Sequence, residues 1–177
     1  MVNIAETDVS LTRHVTLPSR RPSSEFRFRL AHVVDLPELA RLRMEQLGAN
    51  RHGNSQSESD FCDSFKAFLL DRIASSEWLV LVAEINGQLA GCVFLQKIAR
   101  LPRPGLLKRE YGSITNLFVR KQYCGQGLRS RLLHAMAQIA RSEDFEFLIG
   151  RAKGGSRSIY RELGFRANDL EMELDLK

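Results

Sequence analysis

Apolar and polar positions change character at residue 25. Before it, Pro18, Pro22 and the pair Arg20-Arg21 fall without any apolar period, which predicts a flexible extension over residues 1–24. After it, Phe26-Arg27-Phe28-Arg29-Leu30 alternates with period two and predicts a first strand. Asp35-Leu36-Pro37-Glu38 then opens a helix: Asp35 can accept amide hydrogen bonds as the cap, Pro37 is tolerated in the first turn, and Glu38 can reach back. Leu36, Leu39, Leu42 and Leu47 give this helix an apolar side, and Gly48 ends it. The polar run Ala49 to Ser59 predicts a loop, and Phe61, Phe65, Phe68, Leu69 and Ile73 predict a second helix.

Trp78 to Ile85 and Gln88 to Ile98 are β-rich runs joined by Asn86-Gly87. That dipeptide is a strong hairpin signal, because a type I′ turn needs positive φ at both central residues. Leu101-Pro102-Arg103-Pro104-Gly105 interrupts the pattern, and a further strand covers Tyr111 to Arg120. Leu128, Leu132, Leu133, Met136 and Ile139 mark a long amphipathic helix. Phe145 to Gly150 predicts a strand, a short helix carries Tyr160, and Asp169 to Leu176 predicts a final alternating strand. This order gives a mixed α/β domain over residues 25–177, built on one central sheet.

Composition narrows the classes. No apolar run approaches the roughly 20 residues of a membrane span, and the first ten positions lack the core of a secretory signal. Cys62, Cys92 and Cys124 form neither a disulfide framework nor a metal knuckle, so a reducing cytoplasm and no metal are expected. A net charge of +5 reads either as a basic, solvated surface or as the mark of an anionic partner, nucleic acid or a polyphosphate cofactor.

The most informative stretch is a strand, Ile114 to Val119, then Cys124-Gly125-Gln126-Gly127, then a helix from Leu128. Glycines let successive amides converge on a bulky anion, and the helix start adds the positive end of its dipole. No Gly-Lys-Ser/Thr follows, so a Walker loop is excluded. The glycine and acidic pattern of a dinucleotide fold is also missing.

The run from Val119 through Arg120-Lys121-Gln122-Tyr123-Cys124-Gly125-Gln126-Gly127-Leu128-Arg129 to Leu133 resembles the signature of the GNAT superfamily of acyl-CoA N-acyltransferases. Phe147 to Phe165, with Arg157-Ser158-Ile159-Tyr160-Arg161-Glu162-Leu163-Gly164-Phe165, resembles that family's second signature, and the element order matches over residues 25–176. The resemblance implies a central, splayed, mainly antiparallel sheet flanked by helices. It implies acetyl-CoA as co-substrate and direct attack by the amine of a small molecule on the thioester. The backbone of Leu117, Phe118 and Val119 would pair with the pantetheine arm. The amides of the turn Cys124, Gly125, Gln126, Gly127, Leu128, Arg129 and Ser130 would hold the pyrophosphate. Tyr160 would be the general acid that protonates the departing thiolate; without the resemblance, Tyr160 also reads as a core aromatic.

The chain departs from the family pattern in three places. Cys124 stands where a cationic or amide side chain is usual. Arg129 stands where a small residue normally lets the helix approach the cofactor; it either obstructs, or points outward and adds a phosphate contact. Asn116 occupies a strand on which many relatives carry a glutamate, leaving Glu110, Glu84 or a water held by Asn116 as the base. A thiolate nucleophile at Cys124 would need a supported His, and His134 lies well along the helix. The basic stretch Lys97, Arg100, Arg103, Lys108 and Arg109 reads either as a solvated loop or as a contact for an acidic substrate or the cofactor's 3′-phosphate. It lacks the interleaved aromatics of a nucleic-acid surface. The alternatives are a catalytically weak or inactive CoA-binding module, and an acetyltransferase for a protein or peptide N-terminus. A homodimer is compatible with the sequence and not specified by it.

Overall fold

The computed structural model describes residues 25–48, 55–107, 109–152, 154–167 and 174. The predicted extension over 1–24 lies outside them, as does the predicted final strand apart from Leu174. Among the described residues, five strands make one sheet in chain order: β1 (Arg27–Leu30), β2 (Trp78–Ile85), β3 (Gln88–Ala99), β4 (Glu110–Val119) and β5 (Leu148–Gly150). The first four are antiparallel to their neighbours, and β5 alone runs parallel to β4. Four helices accompany them: α1 (Leu36–Leu47), α2 (Ser55–Ala74), α3 (Leu128–Ser142) and α4 (Arg157–Glu162).

The alternation along the central strands sorts side chains onto two helical layers. Leu81, Ala83, Val93 and Leu95 share one core with Leu128, Leu132, Leu133 and Met136 of α3. Val80, Val82, Cys92 and Phe94 share the other with Leu36, Leu39 and Leu42 of α1 and Leu69 of α2. Both faces of β2 and β3 are therefore dry, which is why their sequences read as continuous apolar runs. The β2–β3 turn has the expected form, with Asn86 at φ 50° and Gly87 at φ 75°.

Three details differ from the sequence reading. α2 begins at Ser55, so the stretch read as loop up to Ser59 is already helical at its end. Its polar first turns form a solvated start, and Glu58 there complements the helix dipole. In α1, Leu47 is exposed while Ala40 and Met44 are buried. The Asp35 carboxylate makes no cap bond to α1. It receives Arg29 Nη1 and Nη2 at 2.6 and 2.9 Å and the His32 amide at 2.7 Å, which ties β1 to the turn before α1. Burial opposes its charge, but these hydrogen bonds and the guanidinium outweigh burial and hold Asp35 below its ordinary pKa.

Candidate functional site

β4 is paired on both sides only at its start. Gly112, Ser113 and Ile114 face Leu148, Ile149 and Gly150, after which β5 ends while β4 runs on to Val119. The parting coincides with a bulge. Leu95 opposes Ile114 and Phe94 opposes Asn116, so Thr115 is the extra residue. Beyond it, the edge carrying Leu117, Phe118 and Val119 has β3 on one side and no strand on the other among the described residues. Its amides and carbonyls on that side are available to an extended ligand.

The same strand leads straight into the glycine turn. After one turn of 3-10 helix at Lys121–Tyr123, Gly125 and Gly127 take φ of 81° and 69°. A side chain would meet no atom within 4 Å at either position, so it is the backbone conformation that calls for glycine. Gly127 caps α3 without any side-chain bond, and no acidic residue lies in the first turn. Arg131 N to Gly127 O, at 3.1 Å, is the bond that opens the helix. The amides of Leu128, Arg129 and Ser130 therefore have no intrahelical acceptor and stand at the positive end of the helix dipole. Gln126 and Arg129 are exposed. Cys124 is also exposed, and its thiol donates to the carbonyls of Val119 (3.8 Å) and Arg120 (3.6 Å). The His134 ring sits at the Ser130 carbonyl, 3.1 Å away, rather than at this thiol.

Tyr160 reaches the site from α4. It is 7% exposed and meets the Phe165 ring edge-on, with centroids 5.0 Å apart. Its ring lies over Gly150 at the end of β5, where a Cβ would collide with the tyrosine Cε1. This glycine is what allows a phenol to sit where β5 leaves β4. Burial raises the Tyr160 pKa, so the hydroxyl keeps its proton well above neutrality.

The opposite face of β4 presents Asn116, which is nearly buried. Its Oδ1 accepts from Arg43 Nη1 of α1 at 3.4 Å, and its Nδ2 donates to the Cys92 sulfur at 4.0 Å. Burial pushes the Cys92 thiol up to about 12, so it stays neutral. Arg43 also donates to Gln46 Oε1 at 2.7 Å, and no carboxylate among the described residues pairs with it. Arg120, at the exit of β4, is fully engaged: it binds Glu38 at 2.6 Å, Glu45 at 2.9 Å and the Leu89 carbonyl at 3.0 Å. These contacts fix α1 against the strand that leads into the turn. Neither the Arg43–Asn116 contact nor the Arg120 network was visible in the sequence, because those partners lie more than thirty positions away on other elements.

The acidic candidates for a base are elsewhere. Glu84 of β2 is held by Arg29 at 2.7 Å, toward the β1 edge of the sheet. Glu110 begins β4, roughly 20 Å of extended strand before Asn116. The basic stretch is largely spent on its own partners. Arg100 and Arg109 both bind Glu146 at 2.6 Å, and Lys97 lies 3.6 Å from Glu143. Lys108 lies outside the described residues.

Known proteins share this fold. Residues 37–165 match the Acetyltransferase (GNAT) family. A glucosamine 6-phosphate N-acetyltransferase of Trypanosoma brucei brucei is 32% identical over 91 residues, a span of 51% of this chain and 60% of that relative. Among solved structures, a predicted acetyltransferase of Clostridium acetobutylicum, determined with acetyl-CoA, superposes with a TM-score of 0.71. It is 21% identical, over 86% of this chain and 97% of its own. A Trypanosoma brucei acetyltransferase gives 0.65 at 25% identity, over 86% and 100%. No helix among the described residues is long and apolar enough to cross a membrane, and none of their His, Cys, Asp and Glu side chains group as a metal site. With the profile spanning α1 to Phe165, and the sheet opening beside a glycine turn as the sequence resemblance requires, this chain belongs to the acetyltransferase (GNAT) family.

Proposed function

We propose that the protein is an acetyl-CoA-dependent N-acetyltransferase that acts on the amine of a small molecule. The observation that carries this reading is the β4 edge, unpaired among the described residues, running directly into the amide cluster of the glycine turn. An extended pantetheine can add to the Leu117–Val119 backbone, and the pyrophosphate can take the free amides from Gly125 to Ser130. No acidic side chain in the first turn of α3 opposes that charge. The three free cysteines fit a reducing, cytoplasmic compartment.

In this reading the acceptor nitrogen attacks the thioester carbon near the Thr115 bulge. The C–N bond forms, the C–S bond breaks, and the Tyr160 hydroxyl gives its proton to the departing sulfur. The amine loses its extra proton to water, because Asn116 accepts no proton and no carboxylate described here stands beside it. Holding the two reactants together supplies much of the acceleration. The relative that acetylates glucosamine 6-phosphate supports a small amine, and amino sugars belong in the first panel.

Calorimetric titration with acetyl-CoA, followed by thiol release over a panel of amines, tests the proposal. We expect binding and turnover. Absence of binding at millimolar acetyl-CoA overturns the reading. Tight binding with no turnover on any amine favours a CoA-binding module, the reading that Asn116 in place of a carboxylate would explain.

A further inference from the structure

Three arginines beside the sheet are each paired with carboxylates. Arg29 has Asp35 and Glu84, Arg109 has Glu146, and Arg120 has Glu38 and Glu45. Arg43 is partly buried and, among the described residues, faces two neutral oxygens, those of Gln46 and Asn116, and no carboxylate. A guanidinium held away from water without a counter-charge is costly unless an anion arrives to complete it. Its planar fork suits a two-oxygen anion.

Its position says which molecule brings that anion. Arg43 lies 3.4 Å from Asn116, the residue that follows the Thr115 bulge. It stands on the α1 face of the sheet, whereas the glycine turn opens at the N-terminus of α3, which packs on the other face. A pyrophosphate on that turn would thus leave Arg43 to a different ligand. The surroundings also favour negative charge. Glu38 and Glu45, the acids of the same helix, are taken by Arg120, and the groups nearest Arg43 on the sheet are an amide and a buried neutral thiol. A glutamate at Asn116 would have filled the guanidinium and repelled an acidic acceptor.

We propose that Arg43 is an acceptor-binding residue that selects amines bearing a carboxylate or phosphate group. This rests on the N-acetyltransferase reading and specifies the substrate class for that site.

The experiment compares amines that differ only in the anion: an amino acid with its amide, and an amino sugar with its phosphate ester. Whichever pair shows the larger preference identifies the anion's source. Wild-type protein should favour the charged member of at least one pair by about 30-fold in kcat/KM, mainly through KM. Arg43→Met should collapse that preference to within about threefold, and Arg43→Lys should restore part of it. Acetyl-CoA affinity, measured on each variant, reports whether the fold is intact; if Arg43→Met loses it, Arg43→Gln and Arg43→Lys carry the comparison. A wild type without preference, or an Arg43→Met variant that keeps it, overturns the inference. If acetyl-CoA binds but no amine is acetylated, the proposed function fails on its own. The same pairs titrated into CoA-bound protein then decide the Arg43 inference, and equal affinity for charged and neutral members overturns it.

Discussion

The two faces of β4 are built on different principles. On the α3 side, the proposed anion site is backbone: left-handed Gly125 and Gly127, and the open amides at the start of a 15-residue helix. On the α1 side, it is side chains from three elements, with Arg43, Asn116 and Cys92 touching across α1, β4 and β3. A backbone site is fixed by the fold and changes little with surface sequence. A side-chain site changes whenever one of its members does. The family's shared cofactor therefore suits the first face, and an acceptor particular to this chain suits the second.

Tyr160 is where that division should break most visibly, because the proposed mechanism gives a side chain the proton transfer at the seam of the backbone-built face. Tyr160→Phe keeps the ring on Gly150 and against Phe165 and removes only the proton donor. We expect kcat to fall about 100-fold while acetyl-CoA Kd stays within about twofold. The pH profile gives the sign. Burial raises the phenol's pKa above its ordinary ~10, so wild-type kcat should hold through that value and decline only as pH rises past the raised pKa. The phenylalanine variant should lack that alkaline limb. Steady-state thiol release against pH checks both, and an unchanged kcat removes Tyr160 from the chemistry.

A smaller effect sharpens the contrast from the backbone side. Gly127 sits at φ 69° with open space around it, so Gly127→Ala tests conformation without a clash. The left-handed region costs an L-residue roughly 1 kcal/mol, and a turn that relaxes to avoid it misaligns the amides. Acetyl-CoA affinity should weaken about fivefold to tenfold, with the preference between charged and neutral amines intact. A loss of amine preference at unchanged acetyl-CoA affinity would mean the two faces are not separate sites.

The same division explains what could be read from the sequence. The hairpin at Asn86-Gly87, the glycine turn and α3 were legible because each rests on local rules: positive φ, helix starts and apolar periodicity. Asp35 was legible only as a helix start. Its carboxylate went to Arg29 of β1, six residues earlier, since an ion pair in a partly buried corner outcompeted the cap. Arg129 reads in the motif either as an obstruction or as an outward phosphate contact, and its exposure on α3 is compatible with both. Arg43 could not be found at all. Its meaning depends on Asn116, 73 positions away, and on Arg120 having already claimed the acids of α1.

Cys124 gives the least expected effect and tests whether the backbone face is chemically silent. Its thiol donates to the Val119 and Arg120 carbonyls at long range, and it is exposed, so water can replace those contacts in Cys124→Ala. The only histidine near the turn is committed to the Ser130 carbonyl among the described residues, which leaves the thiol without a base to activate it. Direct transfer then predicts kcat within about twofold of wild type, with no acetyl group retained on the protein after acetyl-CoA is removed. A covalent relay predicts the reverse: a loss of 100-fold or more, and an acetyl adduct on the wild-type chain by intact mass before amine is added. That outcome would move the chemistry onto the α3 face and leave β4 with one working side rather than two.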